Sequence, residues 1–166
     1  GRVWITRDAR GYDVETVYIY DAANRIVSKR IETTGPSLVE LYRYDAQGRK
    51  IWDRDARGIW TQTSFDEQGN VTGITIDPKR GPDWVSGADN NPNGLNHQTS
   101  FTYNALGQQV TVTQGTGTDA RTVRYNYDRL GRPTEEIVDP TGLALKTKYT
   151  YSGTGYLMGK TDPLGR

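Results

Sequence analysis

The chain has no cysteine, one histidine and one methionine in 166 residues. Without Cys there is no disulfide framework, no thiolate nucleophile and no Cys-based zinc site. The single His97 cannot complete a zinc site without further His or Cys. Aliphatic residues are also scarce. Hydrophobic residues make up 34% of the chain, and only the 19 glycines lift the apolar share towards the norm, which is ~45–50% when Gly is counted. No stretch approaches the ~20 apolar residues of a membrane span, and none has the charged-then-apolar start of a signal peptide. Neither sign of charge is in excess. Twenty-one basic and 20 acidic residues leave a net charge of +1, which argues against a nucleic-acid partner, since such binders carry a basic excess or stripe.

What is abundant is tyrosine, with 11 residues. A disordered chain would lack such aromatic content. The aromatics recur in frames: Tyr18-Ile19-Tyr20-Asp21, Tyr42-Arg43-Tyr44-Asp45, Ser64-Phe65-Asp66, Phe101-Thr102-Tyr103-Asn104, Tyr125-Asn126-Tyr127-Asp128 and Tyr149-Thr150-Tyr151-Ser152. The last aromatic of each frame falls at 20, 44, 65, 103, 127 and 151, in steps of 24, 21, 38, 24 and 24. A period near 24 with one long step is a repeat carrying one insertion.

Each frame continues in the same way. Asp21, Asp45, Asp66, Asn104, Asp128 and Ser152 open a four-residue stretch that ends in Asn24, Gly48, Gly69, Gly107, Gly131 and Gly155. Asp, Asn or Ser first and Gly fourth predicts a type I turn with a left-handed last residue, the geometry that closes a bulged β-hairpin. Asn24 fits as the non-glycine that best tolerates that region. A second set of turns lies between frames: Asp8 to Gly11, Thr34-Gly35, Asp55 to Gly58, Asp77 to Gly81, Asp139-Pro140-Thr141-Gly142 and Asp162-Pro163-Leu164-Gly165. Each repeat is then two strands of roughly 6–8 residues and two tight turns. Alternation places Val123, Tyr125 and Tyr127 on one face and Arg124 and Asn126 on the other. Stacked repeats are expected to form a tyrosine ladder across adjacent strands. No window reads as a helix, because Gly, Pro, Asn and β-branched residues interrupt each one. The expected fold is all-β: about seven antiparallel hairpins in one array over residues 1–166, with an inserted loop at 82–98.

The consensus Y-x-Y-D-x-x-G-R, a strand, then D-P-x-G-R resembles the YD repeat of Rhs (rearrangement hotspot) proteins. Tyr44-Asp45-Ala46-Gln47-Gly48-Arg49 and Tyr127-Asp128-Arg129-Leu130-Gly131-Arg132 carry the likeness most closely. The resemblance implies a curved or spiralling sheet, part of a hollow β-cocoon like those of insecticidal toxin complex C components and teneurins. In bacterial members the cocoon encloses a C-terminal toxin used in competition or virulence. By that resemblance the partners are the rest of the shell, the enclosed toxin and a secretion apparatus such as type VI, and the location is outside the producing cell or inside a target. No cofactor is implied. Gly1-Arg2-Val3-Trp4 aligns with the residues after a hairpin turn, and the end lies inside a turn, so a fragment of a longer array is expected. Its open strand edges favour self-association.

Several residues admit a chemical role, and each has a plainer alternative. Asp139 and Asp162 stand at the spacing of the paired D-P-x-G-L motif with which Rhs-type shells release their toxin. The repeat period alone also yields this spacing, and Arg166 stands where the cleaved Leu would be. Turn formation is therefore preferred to acid–base work. Asp89, Asn91, Asn93 and Gly94 resemble the start of a calcium loop, but the twelfth position is Ser100 rather than Glu, and a solvated loop is the plainer reading. Ser86 or Ser100 with His97 lacks the nucleophile elbow of a hydrolase. Trp4, Trp52, Trp60 and Trp84 suit wall packing, or sugar stacking in a carbohydrate- or protein-binding module. Arg25, Arg49, Arg132 and Arg166 are expected to pair with turn Asp residues of the neighbouring repeat. The preferred reading is a non-catalytic structural segment.

Overall fold

The structure, a computed structural model, describes residues 2–7, 15–81 and 93–166. Asp8 to Gly11, Trp84, Ser86, Asp89 and Asn91 lie outside the described residues. The chain divides into two compact units, one of residues 1–64 and 74–97, the other of 65–73 and 98–166.

The fold is all-β, as the repeat predicts. The strands are β1 (Val3–Arg7), β2 (Glu15–Tyr20), β3 (Ile26–Glu32), β4 (Leu38–Tyr44), β5 (Lys50–Arg54), β6 (Trp60–Phe65), β7 (Val71–Ile76), β8 (His97–Tyr103), β9 (Gln109–Gln114), β10 (Arg121–Tyr127), β11 (Pro133–Val138), β12 (Leu145–Tyr151) and β13 (Leu157–Thr161). Strand order in the sheet is chain order. Among the described residues the only helical turn is a 3-10 turn at Gly117–Asp119. It supplies the connection between β9 and β10, which had no Asp–Gly signature to betray it.

In the first unit β1 to β6 pair successively and antiparallel. In the second, β8 to β13 do the same. The register slips by one residue at Ile19/Tyr20, Arg43/Tyr44, Thr102/Tyr103, Asn126/Tyr127 and Thr150/Tyr151, where each frame meets its turn. This is the expected bulge. The fourth turn residue is left-handed throughout, at φ 62° for Asn24 and between 75° and 95° for Gly48, Gly69, Gly107, Gly131 and Gly155.

The Asp139 turn differs from the frame turns. The left-handed residues are Asp139 (φ 52°) and Ala144 (φ 49°), not Gly142. Asp139 carbonyl oxygen accepts the amides of Gly142 and Ala144, and its carboxylate accepts those of Gly142 and Leu143. Gly142 is needed for space, since a Cβ there would sit 2.2 Å from Asp139 Oδ2.

The same turn recurs around the insertion. Asp77 (φ 51°) and Asn96 (φ 50°) take the places of Asp139 and Ala144. Asn96 N–H donates to the Asp77 carbonyl at 2.8 Å, and Leu95 N–H to Asp77 Oδ2 at 2.9 Å. Residues 77 and 96 are 19 apart where 139 and 144 are 5 apart, an excess of 14; the frame step of 38 exceeds 24 by the same 14. The insertion therefore leaves from between Pro78 and Gly94 of an otherwise complete turn. The last residues of the expected 82–98 loop belong to that turn and to β8, which His97 opens. His97 is exposed there.

Burial is thin. Ile137, at 1% exposure, is the one large hydrophobic residue fully buried among the described residues. Trp4, Ile5, Leu130 and Leu164 are among many left exposed.

The left-handed turn makes a direct stability test. Gly131→Ala forces a Cβ into a φ of 81° and is expected to cost about 1–2 kcal/mol. Asn24→Gly should leave stability almost unchanged or raise it slightly. Thermal melts of the two variants check both signs.

Candidate functional site

The repeated residues converge on the hairpin turns. In the frame turns opened by Asp one carboxylate does two tasks. Asp45 Oδ1 accepts the amides of Gln47 (3.0 Å) and Arg49 (2.8 Å), and its Oδ2 accepts Arg49 Nε at 2.6 Å. Asp128 does the same with Leu130, Arg132 and Arg132 Nε, and Asp21 holds Arg25 in the same way. Asp66 keeps the arrangement with Asn70 in place of Arg. Asn104 Oδ1 likewise accepts the Gln108 amide, but its Nδ2 donates to Gln108 Oε1, so the side-chain bond is reversed. Ser152 keeps only the backbone part, accepting from Tyr156 N–H.

The arginines therefore bind the Asp of their own turn, not that of the neighbouring repeat as the sequence suggested. The expectation failed because a turn bulge brings residue i+4 back over residue i. The guanidinium does reach the next turn, but at its carbonyl: Arg25 Nη1 donates to Asp45 O (3.2 Å), and Arg132 Nη1 to Ser152 O (3.3 Å). Gln108 Nε2 also reaches the next turn, but at its fourth residue, donating to Gly131 O at 3.1 Å.

The second tyrosine of the next repeat closes the arrangement. The Arg25 guanidinium lies 4.8 Å from the centre of the Tyr44 ring, and Arg132 lies 4.6 Å from that of Tyr151. Arg2 covers Tyr20 at 5.3 Å. Four of the second tyrosines run along the sheet to a backbone carbonyl just past the previous turn. Tyr44 donates to Ile26 O, Tyr103 to Val71 O, Tyr127 to Gln109 O and Tyr151 to Pro133 O, at 2.7–2.9 Å. These tyrosines tie one hairpin to the one before it.

The first tyrosines behave differently. A ladder across adjacent strands does not form, because a return strand lies between successive Tyr strands. Tyr18 faces Lys29 and Tyr125 faces Glu136 in register. Tyr42 donates to Glu40, which also holds Lys29 Nζ at 3.1 Å. Tyr149 donates to Glu136 at 3.2 Å. Burial, reinforced by the nearby carboxylate, raises the phenol pKa of Tyr42, Tyr125 and Tyr149 above its ordinary value. Trp52 and Trp60 meet edge to face, with ring centres 6.1 Å apart.

The candidate catalytic carboxylates are both engaged in turns. Asp139 accepts two backbone amides, as described above. Asp162 accepts Leu164 and Arg166 N–H on Oδ1 and Arg166 Nε on Oδ2. Asn93 is exposed, and among the described residues no group of three His, Asp or Glu side chains is arranged to hold a metal.

These features define a class: antiparallel hairpin repeats stacked by turn-to-turn and Tyr-to-carbonyl bonds. A solved structure of the same fold is the Photorhabdus luminescens Tc holotoxin pore with a variant TccC3, which matches 91% of this chain at 18% identity and a TM-score of 0.61. The TcdB2-TccC3 crystal structure matches 89% of this chain at 14% identity and a TM-score of 0.49. The chain spans only 8–9% of the length of those chains. No protein-family model and no curated protein matches this sequence.

Two tests follow. Tyr151→Phe should cost about 0.5–1 kcal/mol for its carbonyl bond. Combined with Arg132→Ala it should lose less than the sum, by on the order of 0.5–1 kcal/mol; a double-mutant cycle in urea measures this coupling. The second test is acid. The carboxyls of Asp21 and Asp128 lie below their ordinary pKa, chiefly through the backbone amides of Arg25 and Arg132. At Asp45 partial burial opposes the shift and is outweighed by the bonds from Arg49. A depressed folded pKa contributes stability that is fully present above the unfolded pKa. Melting temperature should therefore hold from pH 7 to about 5 and fall progressively below about pH 4.

Proposed function

We propose that this chain is a non-catalytic stretch of wall in an Rhs/YD-type shell that encloses a C-terminal toxin and helps deliver it. The observation that carries this reading is the stapled hairpin array, whose fold is shared with a Tc holotoxin chain over 91% of the present sequence. The physics suits a wall. Every repeat is held by its neighbours, so the array extends without needing a growing core. Among the described residues no helix is long and apolar enough to cross a membrane. On this reading the partners are the remaining shell, its passenger and the export machinery, and the working location is outside the producing cell or within a target. The turn engagement of Asp139 and Asp162 favours a structural role over self-cleavage for these two residues.

Encapsulation has a direct assay. In the parent polypeptide, a passenger behind the wall should survive a protease that degrades the same passenger expressed alone. Equal digestion rates would remove the reading. Asp139→Ala and Asp162→Ala should leave the pattern of polypeptide masses unchanged; loss of a cleavage product would instead place autoproteolysis at these turns.

A further inference from the structure

One face of the second unit carries an unbalanced carboxylate among aromatic rings. The pairing sets Tyr125 across from Glu136, and Glu136 across from Thr147. Tyr149 shares that face and donates to Glu136 Oε2. With Tyr127 and Pro133 these residues line a hollow of about 230 Å3, mostly apolar in its lining. Glu136 has no ion-pair partner among the described residues, and Lys160 Nζ lies 5.8 Å from the centre of the Tyr149 ring.

The first unit shows what the same place holds when it is filled from within. Lys29 stands four residues after Arg25, as Glu136 stands four after Arg132. Tyr18 faces Lys29 and Lys29 faces Glu40, while Tyr42 donates to Glu40. There an ammonium sits in a cross-strand pair with a carboxylate, its Nζ 3.1 Å from Glu40 Oε1, on the face that bears the tyrosines. In the second unit the lysine is replaced by the carboxylate itself, and Thr147 takes the place of Glu40. The rings and the negative charge remain, but no ammonium pairs with Glu136; the Lys160 ammonium lies instead over the Tyr149 ring.

We propose that the Tyr125–Glu136–Tyr149 hollow binds an alkylammonium group supplied by another molecule. Ring faces attract a cation through their quadrupole, and a half-buried carboxylate adds charge complementarity. A neutral sugar fits less well, since Glu136 is the main polar group the hollow offers beyond the phenol hydroxyls. The ammonium can come from a small amine or from a lysine side chain of a polypeptide; the chemistry recognised is the same.

The test is an NMR titration of the 166-residue chain, reading the ring resonances of Tyr125, Tyr127 and Tyr149. Probes are tetramethylammonium, for a free cation, and Nα-acetyl-lysine methylamide, for a lysine side chain, each against the Nε-acetylated lysine analogue. Saturable shifts with either cation, and none with the neutral analogue, are expected. Glu136→Gln should weaken binding by about tenfold. Glu136→Lys with Thr147→Glu copies the first unit and should abolish binding without lowering the melting temperature. The proposal is overturned if the neutral analogue binds as tightly, if Glu136→Gln binds as well as the parent, or if neither cation moves these rings.

Discussion

The turn carboxylate is the interaction on which the rest of the sheet depends. One oxygen of Asp45 or Asp128 holds two backbone amides, which fixes the turn and places the bulge. The other oxygen holds Nε of the arginine four residues on, which aims the guanidinium at the next hairpin. From there Arg25 and Arg132 each reach a carbonyl of the following turn and a tyrosine ring of the following strand. A planar fork with several donors can meet these demands together, and a lysine cannot. The pairs are a quarter to a third exposed at Arg25, Arg49 and Arg132, so each contributes little by itself. Their effect is on register. Strands with many polar side chains specify their pairing weakly, and the staples at Arg25, Gln108 and Arg132 limit that freedom.

This explains how a chain poor in aliphatic residues holds a sheet. A compact domain stabilises itself by burying a core, yet here only Ile137 is fully buried among the described large hydrophobics. Its register neighbours, Arg124 and Lys146, are long charged residues, whose stems suit such a position. The remaining stability is distributed over ladders, turn bonds and tyrosine hydroxyls, as nearest-neighbour terms in a repeat array.

Much of this was legible in the sequence. Asp-x-x-Gly after an aromatic pair specifies the turn, its left-handed residue and its bulge, and Asn24 obeys the same rule at φ 62°. What escaped was information carried by register between strands. The spacing of Arg25 from Asp21 and from Asp45 does not say which carboxylate it meets, because only the bulged turn decides that. Nor does alternation along β12 reveal that Tyr151 reaches the carbonyl of Pro133. The turn at Asp139 differs from the frame turns for a local reason. Its motif contains a glycine, but the carboxylate captures the amides of Gly142 and Leu143, and the left-handed conformations fall elsewhere. The inserted residues fall within a turn of the same kind, between Pro78 and Gly94.

The staples also separate framework from face. The residue four after each turn's last-residue neighbour is Lys29, Asp53, Ile74, Val112, Glu136 and Lys160 in successive repeats. Where the register is defined, that residue lies directly across from the first aromatic of a frame: Lys29 from Tyr18, Asp53 from Tyr42, Val112 from Phe101, Glu136 from Tyr125 and Lys160 from Tyr149. Cation, anion and aliphatic side chains all occupy it, while the turn geometry beside them stays constant. A position with such variety is not one on which the fold relies. The framework sits at the turns and the second tyrosine; the first aromatic and its partner are left to set the chemistry of the surface, one repeat at a time.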